Sequence, residues 1–352
     1  MCDMSFSSNS VIAKSRAIFG RSLTKEEFAQ LCDKRSVAEA AAFLKNTRRY
    51  GEALAGVNPQ TIHRGQLEAL LNKTVFDIFD NFHRFDFTGS KWFFREIVMQ
   101  LEAEQVLSAI EAVADGSTDE YITALPTFLI KHSRIDLLEL GKSRSFEDIL
   151  RMLSGTEFKK VLQPLLTEAA AGKPGKECKI NIRECERRLY TYYYISCMKM
   201  VEKGCRGAQR TELKRAFLKS IDMKNIVTCC RMRAFGFDAG EAAGQLIPFK
   251  YRLSSSAIER LMQLLDIEHI EQELSRLGYR TDSPAAFSTI EQLTERISLD
   301  YLRRTLRISR SSATVYFCLI ECLQIELRNV KTVIEGIRYG LSGAEIMDML
   351  VL

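Results

Sequence analysis

The chain has 352 residues, with 50 Lys and Arg against 45 Asp and Glu, a formal net charge of +5. That mild surplus is mixed along the chain, without the concentrated basic face of a nucleic-acid binder, and no apolar run approaches the ~18–20 residues that cross a bilayer. Six prolines in a chain rich in Leu, Ala, Glu, Lys and Arg, with no alternating β-branched run, predict an all-α fold.

From the start of the chain, Met1–Ser10 lacks the charged-then-apolar pattern of a signal peptide. The expectation is a cytoplasmic protein whose ten cysteines are reduced, buried, small hydrophobes. No CxxC pair occurs; Cys229 and Cys230 are adjacent, and Cys318 and Cys322 share a helix face. With His63, His83, His132 and His269 scattered, the sequence offers no metal site, no nucleophile constellation and no cofactor site.

Thr24 opens the first element, with Phe28 and Leu31 at helical spacing and Glu27 completing a capping box. The same start recurs at Ser145, with Ile149 and Met152, and at Ser254, with Ile258 and Leu261. A second cap follows each: Ser36, Thr156 and Asp266. Next come aromatic runs, Phe76, Phe79, Phe82 and Phe85, then Trp92, Phe93 and Phe94 just after Ser90, and later Tyr190, Tyr192, Tyr193 and Tyr194. They are expected mostly in the core between long helices. Gly172–Lys176 lacks phosphate-loop spacing, and Glu177 stands where a hydroxyl residue would hold magnesium; it reads as a loop. The basic stretches Arg206–Lys219 and Arg303–Arg310 read as solvated helix faces.

Each long helical stretch carries a motif of aliphatic, acid, two residues, amide, aliphatic. Its polar pairs are Glu102 with Gln105, Asp222 with Asn225, and Glu326 with Asn329. Fourteen residues beyond each acid stands a glycine, Gly116, Gly236 or Gly340, placed to end a helix in the left-handed conformation. At about 100° per residue, positions four, seven and eleven after the acid share its face. These are Val106, Ala109 and Val113; Ile226, Cys229 and Arg233; and Val330, Val333 and Ile337. Each acid thus lies within a mostly apolar face, where a carboxylate is tolerated only if it is paired. From first cap to acid the distances are 78, 77 and 72 residues. Repetition at both ends of the unit predicts three pseudo-symmetric helical lobes, residues 1–120, 121–240 and 241–352.

The C-terminal stretch Tyr316-Phe317, Glu321, Ile325 to Lys331 and Gly336-Ile337-Arg338 resembles the closing motif of the C/d subunit family of V-type and archaeal-type rotary ATPases. Ala13 to Ala17, Leu23 to Phe28 and Tyr50 to Leu54 resemble its opening segments, most closely in the family's bacterial branch. The resemblance implies a funnel of three lobes without chemistry of its own. It would join central-stalk subunits of D and F type to the membrane ring of proteolipid subunits. On that reading Lys224, Arg231, Arg328, Lys331 and Arg338 supply exposed contacts to stalk or ring. The copies differ: Cys229, Cys230 and Arg231 stand where the third has Val333, Ile334 and Glu335, and the first has Gln105 for asparagine. The rival, a helical-repeat scaffold of the HEAT or TPR kind, repeats every ~34–47 residues, far shorter than the period here.

Overall fold

The computed structural model describes residues 3–85, 91–117, 121, 125–170, 180–281 and 287–352. Among these there is no strand, and none of the helices is long and apolar enough to cross a membrane. Gly172–Glu177, Ser90 and the side chains of His83, Phe85 and Trp92 lie outside the described residues.

The chain divides into two compact units. The first comprises Met1–Ser90 with Gly204–Leu352. It begins with α1 (Asp3–Phe19), α2 (Lys25–Cys32), α3 (Val37–Lys45), α4 (Gly51–Leu54) and α5 (Arg64–Phe85). It resumes with α11 (Gly207–Ala234), α12 (Ala239–Gln245), α13 (Ser255–Gln263), α14 (Ile267–Arg276), α15 (Ile290–Ile308), α16 (Ser312–Arg338) and α17 (Gly343–Asp348). The second unit, Lys91–Lys203, holds α6 (Lys91–Asp115), α7 (Leu137–Leu140), α8 (Phe146–Met152), α9 (Glu157–Ala170) and α10 (Ile182–Gly204).

The short helices begin where the hydroxyl and acidic caps stand. Thr24 accepts from the Glu27 N–H and completes the capping box; Ser36, Ser145, Ser254 and Asp266 each accept from the N–H three residues on. Thr156 directly precedes α9, and its hydroxyl donates to the Leu153 carbonyl at 2.7 Å. The long helices end as the glycines require: Gly116, Gly236 and Gly340 have φ of 71°, 81° and 71°. In each case the following N–H reaches back five residues, Ser117 to Ala112, Phe237 to Met232 and Leu341 to Gly336.

Two apolar clusters organise the first unit. In one, Phe28, Leu31, Leu44, Tyr50, Leu67 and Leu71 pack on Val330, Val333, Ile334 and Ile337 of α16. In the other, Leu253, Ile258, Leu261, Ile270, Leu274 and Tyr279 pack on Ile226 and Cys229 of α11, with Leu293 and Ile297. A pair of short helices therefore covers the acid-bearing face of each long helix. Residues from the start of the chain also cap its last hairpin. The Arg16 guanidinium of α1 donates to the Leu306 and Ser309 carbonyls at 3.0 and 2.8 Å, where the last turn of α15 leaves acceptors unpaired.

Phe76, Phe79, Phe82, Phe93, Phe94, Tyr193 and Tyr194 are buried as the aromatic runs predict, while Tyr190 and Tyr192 are half-buried. The eight described cysteines are all buried and free. The basic stretches are not uniformly solvated. Lys219 and Arg303 are half-buried: Lys219 lies where α11 and α15 pack on each other, and Arg303 lines a small cleft with Phe19, Cys322 and Glu326.

Candidate functional site: three buried carboxylates and five surface cations

Glu102 and Asp222 are fully buried and Glu326 is 7% exposed. Each meets a different set of donors. Asp222 of α11 faces the residues leading into α13: the Tyr251, Arg252 and Leu253 N–H groups donate to it at 3.0, 2.7 and 3.2 Å. The Tyr279 hydroxyl donates to the same carboxylate at 2.5 Å. Three converging backbone donors make a preformed anion cradle, and here the anion is internal. Burial, and then the neighbouring Asp222 charge, hold the Tyr279 phenol far above its ordinary range, so it remains a donor.

In the second unit, Glu102 of α6 accepts from the Arg134 N–H at 2.7 Å and the Ser133 hydroxyl at 3.1 Å. Arg95, two turns earlier on the same face, grips both carboxylate oxygens at 3.1 and 2.7 Å. The third acid differs in kind. Arg49 approaches Glu326 at 3.2 Å, with the two side chains 2% and 7% exposed, and the Tyr50 hydroxyl donates at 3.3 Å. Arg49 also donates to the Ile18 carbonyl and the Ser22 hydroxyl at 2.8 and 2.9 Å, which helps offset the desolvation of a buried ion pair. Burial, with Glu326 the next cause, raises the Tyr50 phenol well above its usual value.

Two of the amides share one geometry. Asn225 accepts from the Ile247 N–H at 2.9 Å and donates to the Ile247 and Phe249 carbonyls at 3.1 and 3.3 Å. Asn329 accepts from the Val351 N–H at 3.1 Å and donates to the Val351 carbonyl at 2.6 Å. In both, the clamped residue lies 22 positions after the amide. Gln105, one methylene longer, is half-buried.

The five cationic candidates lie at the surface or half out of it. Lys224 is exposed and Lys331 half-buried. Arg231 pairs with Glu291 at 2.9 Å, and Arg328 pairs with Glu295 at 3.0 Å. The first two turns of α15 thus receive one arginine from α11 and one from α16. Arg338 lies 3.7 Å from Glu335 and stacks over Tyr339 at 5.5 Å. Exposed pairs of this kind contribute about 0–1 kcal/mol, so an external carboxylate can exchange into them at little cost. No group of three or more side chains able to hold a metal occurs among the described residues.

Sequence reading missed Arg49 and Tyr279 as partners of the acids. A signal was present for the second: a tyrosine follows the first cap by 26 residues at Tyr50 and by 25 at Tyr279. For Arg49 no local pattern exists, since its carboxylate lies 277 residues away.

The family model described as ATP synthase (C/AC39) subunit matches residues 11–349. Among curated proteins, the C subunit of the A-type ATP synthase of Desulfurococcus sp. (strain SY) is 24% identical over 289 residues, 82% of this chain and 71% of the relative. The same subunit of Pyrococcus abyssi is 21% identical over 346 residues, covering 96% and 88% of the two chains. That of Methanocaldococcus jannaschii is 22% identical over 335 residues, covering 92% and 80%.

Proposed function

The chain belongs to the ATP synthase (C/AC39) subunit family, and from that premise we propose that it is a non-catalytic rotor piece of a rotary ATPase. On this reading it couples the central-stalk subunits of D and F type to the membrane ring of proteolipid subunits, and sits peripherally on the cytoplasmic side. The observation that carries the reading is the buried carboxylate joint. At Glu102, Asp222 and Glu326 a long helix is fixed to a distant segment by directional hydrogen bonds inside an apolar contact. A piece that passes torque must not shear at its joints, and close-packed interiors with satisfied polar locks transmit strain rather than absorb it.

Three lobes, residues 1–120, 121–240 and 241–352, are the proposed building units. Support comes from the common 22-residue amide clamp at Asn225 and Asn329 and the three left-handed closing glycines. In this reading Lys224, Arg231, Arg328, Lys331 and Arg338 form the rim that meets acidic partner surfaces. Charged contacts spread around an apolar centre give orientation and resist rotation better than one anchor.

The test is purification of the tagged chain from its own membrane extract. Stalk and ring subunits should accompany it. Glutamate at all five rim positions should reduce their recovery with helical content unchanged. Recovery of the chain without either set of subunits refutes the coupling role; normal recovery of both with the five-fold reversal refutes the rim assignment alone.

A further inference from the structure

A cleft of about 200 Å³ lies between α11, the turn after α14, and α15, all within the first compact unit. Each wall contributes one cation to its lining: Lys219 from α11, Arg280 from the turn and Arg304 from α15. One carboxylate lines it, Asp300, and this is already engaged. Arg296 pairs with Asp300 at 3.2 Å, and the Thr281 hydroxyl donates to it at 2.7 Å. Lys219 is half-buried, with its ammonium 3.9 Å from the centre of the Tyr301 ring. Burial first, and then Arg252, Arg215 and Arg304, lower its pKa to about 8. The charged groups that lower it are all cations, and an anion entering the cleft would relieve that repulsion.

We propose that this cleft binds a small phosphate-bearing anion, inorganic phosphate or a phosphomonoester, held by Lys219, Arg280 and Arg304. Three cations from three separate elements suit a dianion with tetrahedrally disposed oxygens, and guanidinium groups pair with such oxygens bidentately. The volume exceeds that of a bare phosphate group and leaves space for a short ester substituent. The ligand would bridge α11, α15 and the turn that carries Tyr279, whose hydroxyl holds Asp222. Occupancy would therefore tighten the same joint that fixes α13 and α14 on α11. This inference stands apart from the coupling role, since it requires only the folded chain.

The experiment is calorimetric titration of the full-length chain with inorganic phosphate and, separately, with glycerol phosphate, against sodium chloride at matched ionic strength. Saturable binding of one equivalent is expected. Lys219→Met and Arg304→Gln should each weaken it about tenfold or more, while Lys25→Met, an exposed lysine at the start of α2, should bind like the parent. Arg280→Gln, at an exposed position, provides the same comparison if either of the others loses helical content. Tighter binding of the ester than of inorganic phosphate assigns the physiological class to phosphomonoesters; equal or weaker binding assigns it to free phosphate. The absence of saturable binding by both ligands, or affinity unchanged in all three cleft variants, overturns the proposal.

Discussion

Replacing Asp222 by Asn tests whether the buried carboxylates are joints or passive residents of an apolar face. The native side chain takes three backbone N–H groups and one phenol hydroxyl, and it is fully buried. Hydrogen bonds to a charged group contribute about 1.5–3 kcal/mol each. Their plain sum overstates the loss, since the donors act as a set and the released loop regains water. Asparagine keeps one acceptor but aims an NH2 at donors, so the expected cost is about 3 kcal/mol, rising to about 5 for Asp222→Ala. If that cost falls on local opening, the amides of Tyr251, Arg252 and Leu253 should exchange about a hundredfold faster. Hydrogen exchange followed by mass spectrometry on a peptide spanning 247–254 reads this directly. A peptide containing Arg134, whose N–H meets Glu102, supplies the reference and should not change. Acceleration below about threefold, or an equal rise across the whole chain, would refute the view that Asp222 is a local lock.

The amide clamps predict a parallel result: Asn329→Leu should expose the Val351 N–H, and Asn225→Leu that of Ile247, each at a cost of about 2 kcal/mol, seen as faster exchange at those residues. Two glycines separate backbone strain from crowding. Gly340→Ala meets nothing within 4 Å but must hold φ at 71°, costing about 1–2 kcal/mol. Gly336→Ala places a Cβ 2.6 Å from the Ile346 Cγ1 and should cost about 1–3 kcal/mol. A further Ile346→Ala substitution should rescue Gly336→Ala and not Gly340→Ala in urea unfolding. Burial also raises the thiols of Cys229 and Cys322 from 9.0 to about 12. The unfolded chain loses these protons near pH 9 and the folded chain keeps them, so their contribution is whole below pH 9 and declines towards pH 12. By pH 10 the loss is about 1.4 kcal/mol for each thiol. Lys219, with its lowered pKa, pulls the other way between pH 8 and 10.5. The clean readout is therefore the difference between the parent and a Cys229→Ala, Cys322→Ala variant, in reductant, from pH 8 to 10; a difference independent of pH would refute the assignment.

Much of this was legible because the signals are local. Caps such as Thr24, Ser145 and Ser254 lie within three residues of the N–H they satisfy, so their hydroxyls announce helix starts directly. The closing glycines are equally plain, because few other residues tolerate the required φ. Turning the helix by its period put Glu102, Asp222 and Glu326 on buried faces, and burial forced the conclusion that something pairs with them. What pairs with them was not legible. For Asp222 the donors are main-chain N–H groups, which every residue possesses and no side-chain pattern marks. Arg95 was within reach, seven residues before Glu102 on the same face. Lys219 and Arg303 were misplaced on solvated faces for a related reason. Charge in a sequence shows where solvent is preferred, not where helix packing takes up a long stem.

The three acids show how far chain connectivity governs the chemistry of a joint. Glu102 and Asp222 are met by segments roughly 30 residues further along, so a loop can be shaped to present its own N–H groups to the carboxylate. Glu326 is met instead by a segment that precedes it by 277 residues, and that same segment packs on α16. That segment arrives as helices α2 to α4, whose N–H groups are mostly committed to their own turns. It brings side chains instead, and Arg49 and Tyr50 take the place that three backbone amides have at Asp222. The substitution changes the physics. A cradle of main-chain donors shifts only if the loop refolds, whereas an arginine is held by its rotamer. Arg49 is therefore braced by Ile18 and Ser22, and Arg16 of α1 fixes the end of α15 nearby in sequence to the α16 hairpin. Closing a loop of 277 residues costs more entropy than closing one of 30, though only by about 2 kcal/mol on a logarithmic dependence. The additional bonds around Arg49 are of the right number and kind to offset it. The N-terminal segment thus completes the core around α16, and a chain lacking it would leave Glu326 buried without its cation.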